Sequence, residues 1–150
     1  MKNLHNPEQV AEIRRRLATL RPDSPRQWGK MSAPQAVAHM SVGLESALGD
    51  REIPQVWFGK LIGPFVKKFA LGDDKPFARN APTAPEFLIA DERDLARERE
   101  KLLGLIDRFV AGGPAACEGR RHAFFGRMTA EEWAVLQYKH LDHHLRQFGA

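Results

Sequence analysis

Cysteine is nearly absent: Cys117 is the only one in 150 residues. No disulfide can form within the chain, and such usage fits a reducing compartment, so a cytoplasmic protein is expected. Cys117 follows Pro114-Ala115-Ala116 with no CxxC or catalytic pattern nearby, and a bland surface or half-buried thiol is expected there. Long apolar runs are missing too. Nothing approaches the roughly 20 apolar residues of a membrane-spanning helix, and Met1 to Pro7 lack the apolar stretch of a signal peptide. Neither a membrane nor a secretory route is expected. The net charge is +4, but the basic residues are scattered: Arg14-Arg15-Arg16, Lys67-Lys68 and Arg120-Arg121, with acidic residues interleaved from Asp91 to Glu100. Without a basic face or a supporting motif, nucleic acid is not an expected partner.

What is present is ordinary for one globular domain spanning residues 1–150, with 43% hydrophobic and 28% charged residues and enough length to bury a core. Four helices are expected. Asn6-Pro7-Glu8-Gln9 offers an asparagine cap and a first-position proline, followed by Val10, Ile13, Leu17 and Leu20 at helical spacing. Ser32-Ala33-Pro34-Gln35 is a capping box opening a helix with Val37, Met40, Leu44 and Leu48, which stops near Gly49-Asp50. Asp91 is the expected cap of a third helix carrying Leu95, Leu102, Leu105, Ile106 and Phe109, ended by Gly112-Gly113-Pro114. Thr129-Ala130-Glu131-Glu132 opens the last helix, from about Ala130 to Phe148.

Some forty residues link the second and third helices, too many for a tight turn. Within them, Val56 to Leu71 is amphipathic, with Phe58, Leu61, Ile62, Phe65 and Phe69 on one side and a break or kink expected at Gly63-Pro64. This segment is expected to cap the core, with a membrane-surface or partner-binding helix as the alternative supported by Lys60, Lys67 and Lys68. Lys75 to Phe87, rich in proline, is expected to be extended. No strand-period run stands out. The expected fold is all-α, a four-helix bundle with one long crossover.

The last helix carries Lys139-His140-Leu141-Asp142-His143-His144. Residues four apart lie nearly in line on a helix, so Trp133, His140, His144 and Phe148 share the face that should be buried. Asp142 and Arg146 point elsewhere, and His143 lies at the edge. Two imidazoles on a buried face need partners for their nitrogens. A shared divalent ion satisfies them, and so would carboxylates, backbone groups or water; the pair alone leaves both readings open. His39, on the second helix beside Ala36, Gly43 and Ala47, is a candidate third ligand where close helix approach is allowed. Three imidazoles with open positions suit a catalytic zinc, nickel or iron ion. His5 and His122 fall outside this pattern and are expected at the surface. His140 is followed by Leu141, so the His-Glu-x-x-His protease motif is excluded, and no nucleophile triad, phosphate loop or dinucleotide fingerprint occurs.

A histidine on helix two and a terminal His-x-x-x-His on a helical bundle resemble the DinB/YfiT-like superfamily of metalloenzymes, in particular an uncharacterised bacterial branch of it. The stretches carrying the resemblance are Trp28-Gly29-Lys30-Met31-Ser32, Ala78 to Phe87, and Phe124 to Trp133 leading into His140 to Gly149. The resemblance implies an up-down-down-up bundle and a metal triad of His39, His140 and His144. Characterised relatives include transferases and isomerases that use a low-molecular-weight thiol, and many are homodimers; a small-molecule substrate and a homodimer are the corresponding expectations. An ion of this kind would lower the pKa of a bound thiol or water.

Two functions follow. One is a metal-dependent thiol transferase or hydrolase, with Arg79, Asn80 and Trp133 as candidate substrate-binding residues and Trp28 and Trp57 as further wall candidates. The other is a non-catalytic, stress-related binding or scaffold protein whose metal site is structural or vestigial. No general acid or base is identified: Asp142 faces away, and Glu45 lies off the apolar stripe.

Overall fold

The computed structural model describes residues 1–81 and 85–150, which are mainly helical. Five α-helices run in the order α1 (Pro7–Thr19), α2 (Ala33–Leu48), α3 (Trp57–Leu71), α4 (Leu95–Gly112) and α5 (Ala130–Gln147). Three helix starts expected from the sequence are built as their caps dictate. The Asn6 side chain accepts from the Glu8 amide at 2.9 Å. Ser32 with Gln35 and Thr129 with Glu132 form reciprocal capping boxes, each relieving two of the four orphan amides of a helix start. Gly49 closes α2 at φ 79°, a left-handed conformation suited to glycine.

Other expectations are corrected. α4 begins at Leu95, capped by Asp94, whose carboxylate accepts from the Arg97 amide at 2.8 Å. Asp91 is gripped instead by the Arg93 guanidinium at 3.0 Å. The connection after α2 is itself helical over Trp57–Leu71, so the described residues form five α-helices rather than four. Pro64 sits inside an unbroken α3; the carbonyl it deprives of a partner belongs to Lys60, which is exposed to water. A small antiparallel hairpin, β1 (Arg121–His122) with β2 (Gly126–Arg127), pairs Arg121 with Arg127 and His122 with Gly126. It is too short to leave a strand period in the sequence. Pro85–Phe87 forms one 3-10 turn, so this part of the link is not extended; Pro82, with its neighbours Thr83 and Ala84, lies outside the described residues.

α2 packs on α4 and α5, and α1 on α5. The core between them is filled by Leu17, Met40, Leu44, Leu102, Ile106, Leu141 and Leu145. Each such side chain contributes about 1.5–3 kcal/mol by leaving water. Polar anchors fix the periphery. Buried Asp142 receives Arg16 at 2.7 Å and Arg146 at 2.8 Å, turning away from α2. Cys117 has no exposed surface, and burial lifts its thiol to about 11, so it is an inert core residue rather than a surface one.

α3 is mounted differently. Its Gly59 and Gly63 lie on the hairpin backbone, so close that a Cβ at Gly63 would stand 2.2 Å from the Phe124 carbonyl. Lys67 pairs with Glu132 at 2.8 Å. The Lys139 ammonium donates to the Ala70 and Asp73 carbonyls at 2.6 and 2.9 Å, closing the C-terminal end of α3, where a cation is favoured. The apolar side therefore does not cap the core: Phe58, Leu61, Ile62, Phe65 and Phe69 all face solvent.

Candidate metal centre

His39 leaves the middle of α2, and His140 and His144 leave α5 one turn apart. The three rings meet between the two helices, with centroids 4.6 to 4.9 Å from one another. One nitrogen from each lies within 4.8 Å of the others, an arrangement that could hold a metal ion. Gly43 makes the approach possible. A Cβ there would stand 2.8 Å from His140 Nδ1 and 3.2 Å from Gln137 Oε1.

Hydrogen bonds settle which nitrogens face inward. His39 Nδ1 lies 2.8 Å from the Phe87 carbonyl, which only accepts, so Nδ1 carries the proton and Nε2 a lone pair. Gln147 donates its Nε2 to the Trp28 carbonyl at 2.9 Å, leaving its Oε1 to accept from His144 Nδ1 at 2.8 Å. His144 Nε2 therefore also carries a lone pair. His140 Nε2 stands 2.9 Å from His39 Nε2; without an ion, one of the two must hold a proton between them. Gln137 supplies a further clue. Its Nε2 donates to the Gly43 carbonyl at 3.1 Å, while its Oε1 is buried without a partner among the described residues, beside the point that His140 Nδ1 also crowds. An ion drawing the His140 Nε2 lone pair inward would move that ring's proton to Nδ1, on the side of the orphaned oxygen. Outer partners of this kind orient metal-binding histidines and fix their tautomers.

Electrostatics agree. Burial pushes the pKa of His39 down, that of His140 well below the ordinary value, and that of His144 to about 3. The rings are neutral at neutral pH, the form that coordinates a metal. Among the described residues no carboxylate or cysteine joins the three as a fourth ligand, so an ion held here keeps open positions.

A cavity of about 480 Å³ is lined in part by Trp28, Phe77, Arg79, His143 and Arg146; none of the three histidines lines it, and His143 is its link to them. The His143 ring is 5.0 Å from that of His144, on the cavity side. The Arg79 guanidinium lies 4.3 Å over the Trp28 ring. Exposed Asn80 follows at φ 57°, a left-handed conformation. Trp133 belongs elsewhere: it has no exposed surface, and its Nε1 donates to the Arg120 carbonyl at 3.4 Å. Trp57, on the outer side of α3, stands clear of the site.

Two histidines expected at the surface are half-buried and packed against neighbours. His122 Nδ1 accepts from both the Phe124 and Phe125 amides at 3.1 Å, holding the hairpin turn; burial lowers its pKa to about 4. His5 stacks on Phe109 at 5.3 Å. Sequence reasoning singled out Gly43 as a point of close helix approach but passed over Gln137 and Gln147. Both glutamines lie three residues from a site histidine on the same helix, a spacing that places side chains together and was available in the sequence. The Phe87 carbonyl, a backbone group, leaves no such signal.

The family model described as protein of unknown function, DUF1569, matches residues 2–150. The chain belongs to the DUF1569 family. No curated protein and no solved structure matches it. Membership of DUF1569 assigns this chain no activity, and what it does rests on the three histidines and their surroundings.

Proposed function

We propose that this chain is a metal-dependent enzyme of the thiol-transferase or hydrolase kind. His39, His140 and His144 hold one zinc, nickel or iron ion on a DinB-like four-helix bundle of up-down-down-up connectivity, to which α3 is an addition. The observation carrying this reading is the set of outer hydrogen bonds: Phe87 and Gln147 hold two Nδ1 protons outward, and the unpartnered Gln137 oxygen stands ready on the side of the third. An ion so held supplies Lewis acidity, lowering the pKa of a thiol or water that reaches it.

The chain's own residues do the rest. Trp28 and Phe77 give the adjoining cavity apolar walls, and Arg79, backed by Trp28, offers a cation to an anionic or polar group of a small-molecule substrate. Asn80 is a second polar contact; Trp133, wholly buried, is left out of the substrate wall. His143 lines the cavity, its ring packed against Trp28 and Phe77 on one side and His144 on the other. The lack of a fourth protein ligand among the described residues favours chemistry over a closed structural site.

Elemental analysis of protein from zinc-, nickel- and iron-supplemented growth is the test, with about one ion per chain expected. His140→Ala should lose it and His143→Ala should keep most. Protein without metal would sink the proposal. Loaded protein inactive in thiol-conjugation and hydrolysis screens, with its coordination closed, would favour the scaffold function instead.

A further inference from the structure

α3 holds the largest unexplained feature of the molecule. At about 100° per residue, Trp57, Phe58, Leu61, Ile62, Phe65 and Phe69 cover an arc of roughly 140°. Trp57, Phe65 and Phe69 are 78%, 72% and 83% exposed, where single scattered apolar residues would be unremarkable. The helix cannot turn this arc inward. Its opposite edge is committed by Gly59 and Gly63, where a Cβ would come within 2.8 and 2.2 Å of the Phe124 carbonyl, and by the Lys67 to Glu132 ion pair. Bulky rings cannot occupy the place of those glycines, so the arc is held outward for something beyond the chain.

Charge narrows what that is. α3 contains Lys60, Lys67 and Lys68 and no acidic residue. Lys67 is paired, while exposed Lys68 falls about 20° inside one edge of the arc and exposed Lys60 about 60° beyond that edge, with stems long enough to keep their ammonium groups in a polar layer while the rings go deeper. A second copy meeting this face two-fold would set lysine margins together with no carboxylate on either helix to answer them. Aromatic and aliphatic residues on one side, lysines at the edge and no acid form the pattern of a helix lying in a membrane interface and favouring anionic lipid. No helix among the described residues is long and apolar enough to cross a membrane.

We infer that α3 docks this protein flat on an anionic membrane surface, with Trp57, Phe65 and Phe69 entering the interface and Lys60 and Lys68 meeting lipid phosphates. The inference stands apart from the metal centre and needs no ion.

The experiment is co-sedimentation of the full chain with phosphatidylcholine vesicles, with and without phosphatidylglycerol, alongside light scattering of the protein alone. Binding is expected on the anionic vesicles, reduced by salt. Lys60→Glu with Lys68→Glu should lower it by about tenfold or more, and Phe65→Glu with Phe69→Glu should abolish it. All four positions are exposed, so both variants should keep the wild-type circular dichroism and melting. No binding to the anionic vesicles, or equal binding to both kinds, overturns the inference. So does a wild-type dimer that the Phe65 and Phe69 variant splits while vesicles capture nothing.

Discussion

α2 and α3 are nearly the same length and both carry glycines, yet α2 buries thirteen of its sixteen residues and α3 three of fifteen. In α2 the glycine makes room for a neighbour: Gly43 admits the His140 ring and lets polar chemistry reach the middle of the fold. In α3 the glycines bring the helix itself close, seating Gly59 and Gly63 on the hairpin backbone and leaving the large side chains outside. Small residues thus create an interior site in one helix and an exterior face in the other. The difference lies in what approaches the glycine, a side chain from α5 or a fixed carbonyl.

Gly63→Ala puts the contrast under the greatest strain. The new Cβ meets the Phe124 carbonyl at 2.2 Å, and backbone must move. Overpacking of this kind costs up to about 3 kcal/mol and helix preference returns about 1, so urea unfolding should show a net loss of about 2 kcal/mol. Metal content should be unchanged. At Gly43 the obstacle is an imidazole that can swing aside, so Gly43→Ala should change stability by less than about 1 kcal/mol while lowering metal affinity about tenfold, as loss of ligand orientation does; competition with a chelator measures it. Equal effects on metal from both variants would erase the distinction.

A smaller effect separates the hairpin under α3 from the triad. His122 is held near 4 in the fold against an ordinary 6.5. Between those values the unfolded chain takes up a proton that the folded chain refuses, so stability is fully present above pH 6.5, falls as pH drops and levels off near pH 4. The site histidines of ion-free protein act in the same direction. His122→Asn keeps an acceptor for the two turn amides but cannot titrate, and it should flatten part of this slope in urea midpoints measured across the window. An unchanged slope would place the acid response in the triad and the neighbouring His143, whose pKa burial also lowers.

Local chemistry was legible in the sequence and long-range approach was not. Asn6, Ser32 and Thr129 announced three helices because a cap and its amide are three residues apart or fewer. Asp91 misled because two aspartates offered the same signal, and only Arg93 reaching Asp91 separates them. The i,i+4 spacing of His140 and His144 placed them together, whereas bringing His39 to them required the α2–α5 packing. Periodicity identified the apolar side of α3 but could not say which side faces the core. That depends on Phe124, some sixty residues away, and on the glycines that fit beneath it. His122 was misplaced although its amide partners are only two and three residues on, because the hairpin is too short to leave a pattern and the Trp133 ring that covers it comes from α5.

The outward-turned Nδ1 protons of His39 and His144 have a consequence for how an ion arrives. Free histidines shed protons when they coordinate, and affinity then climbs steeply with pH. Here folding has already driven the rings to their neutral form, so loading at neutral pH should be close to proton-silent. Calorimetric titration in buffers of different ionisation enthalpy should return nearly the same heat, and ion uptake should be nearly as ready in mildly acidic solution as at neutral pH.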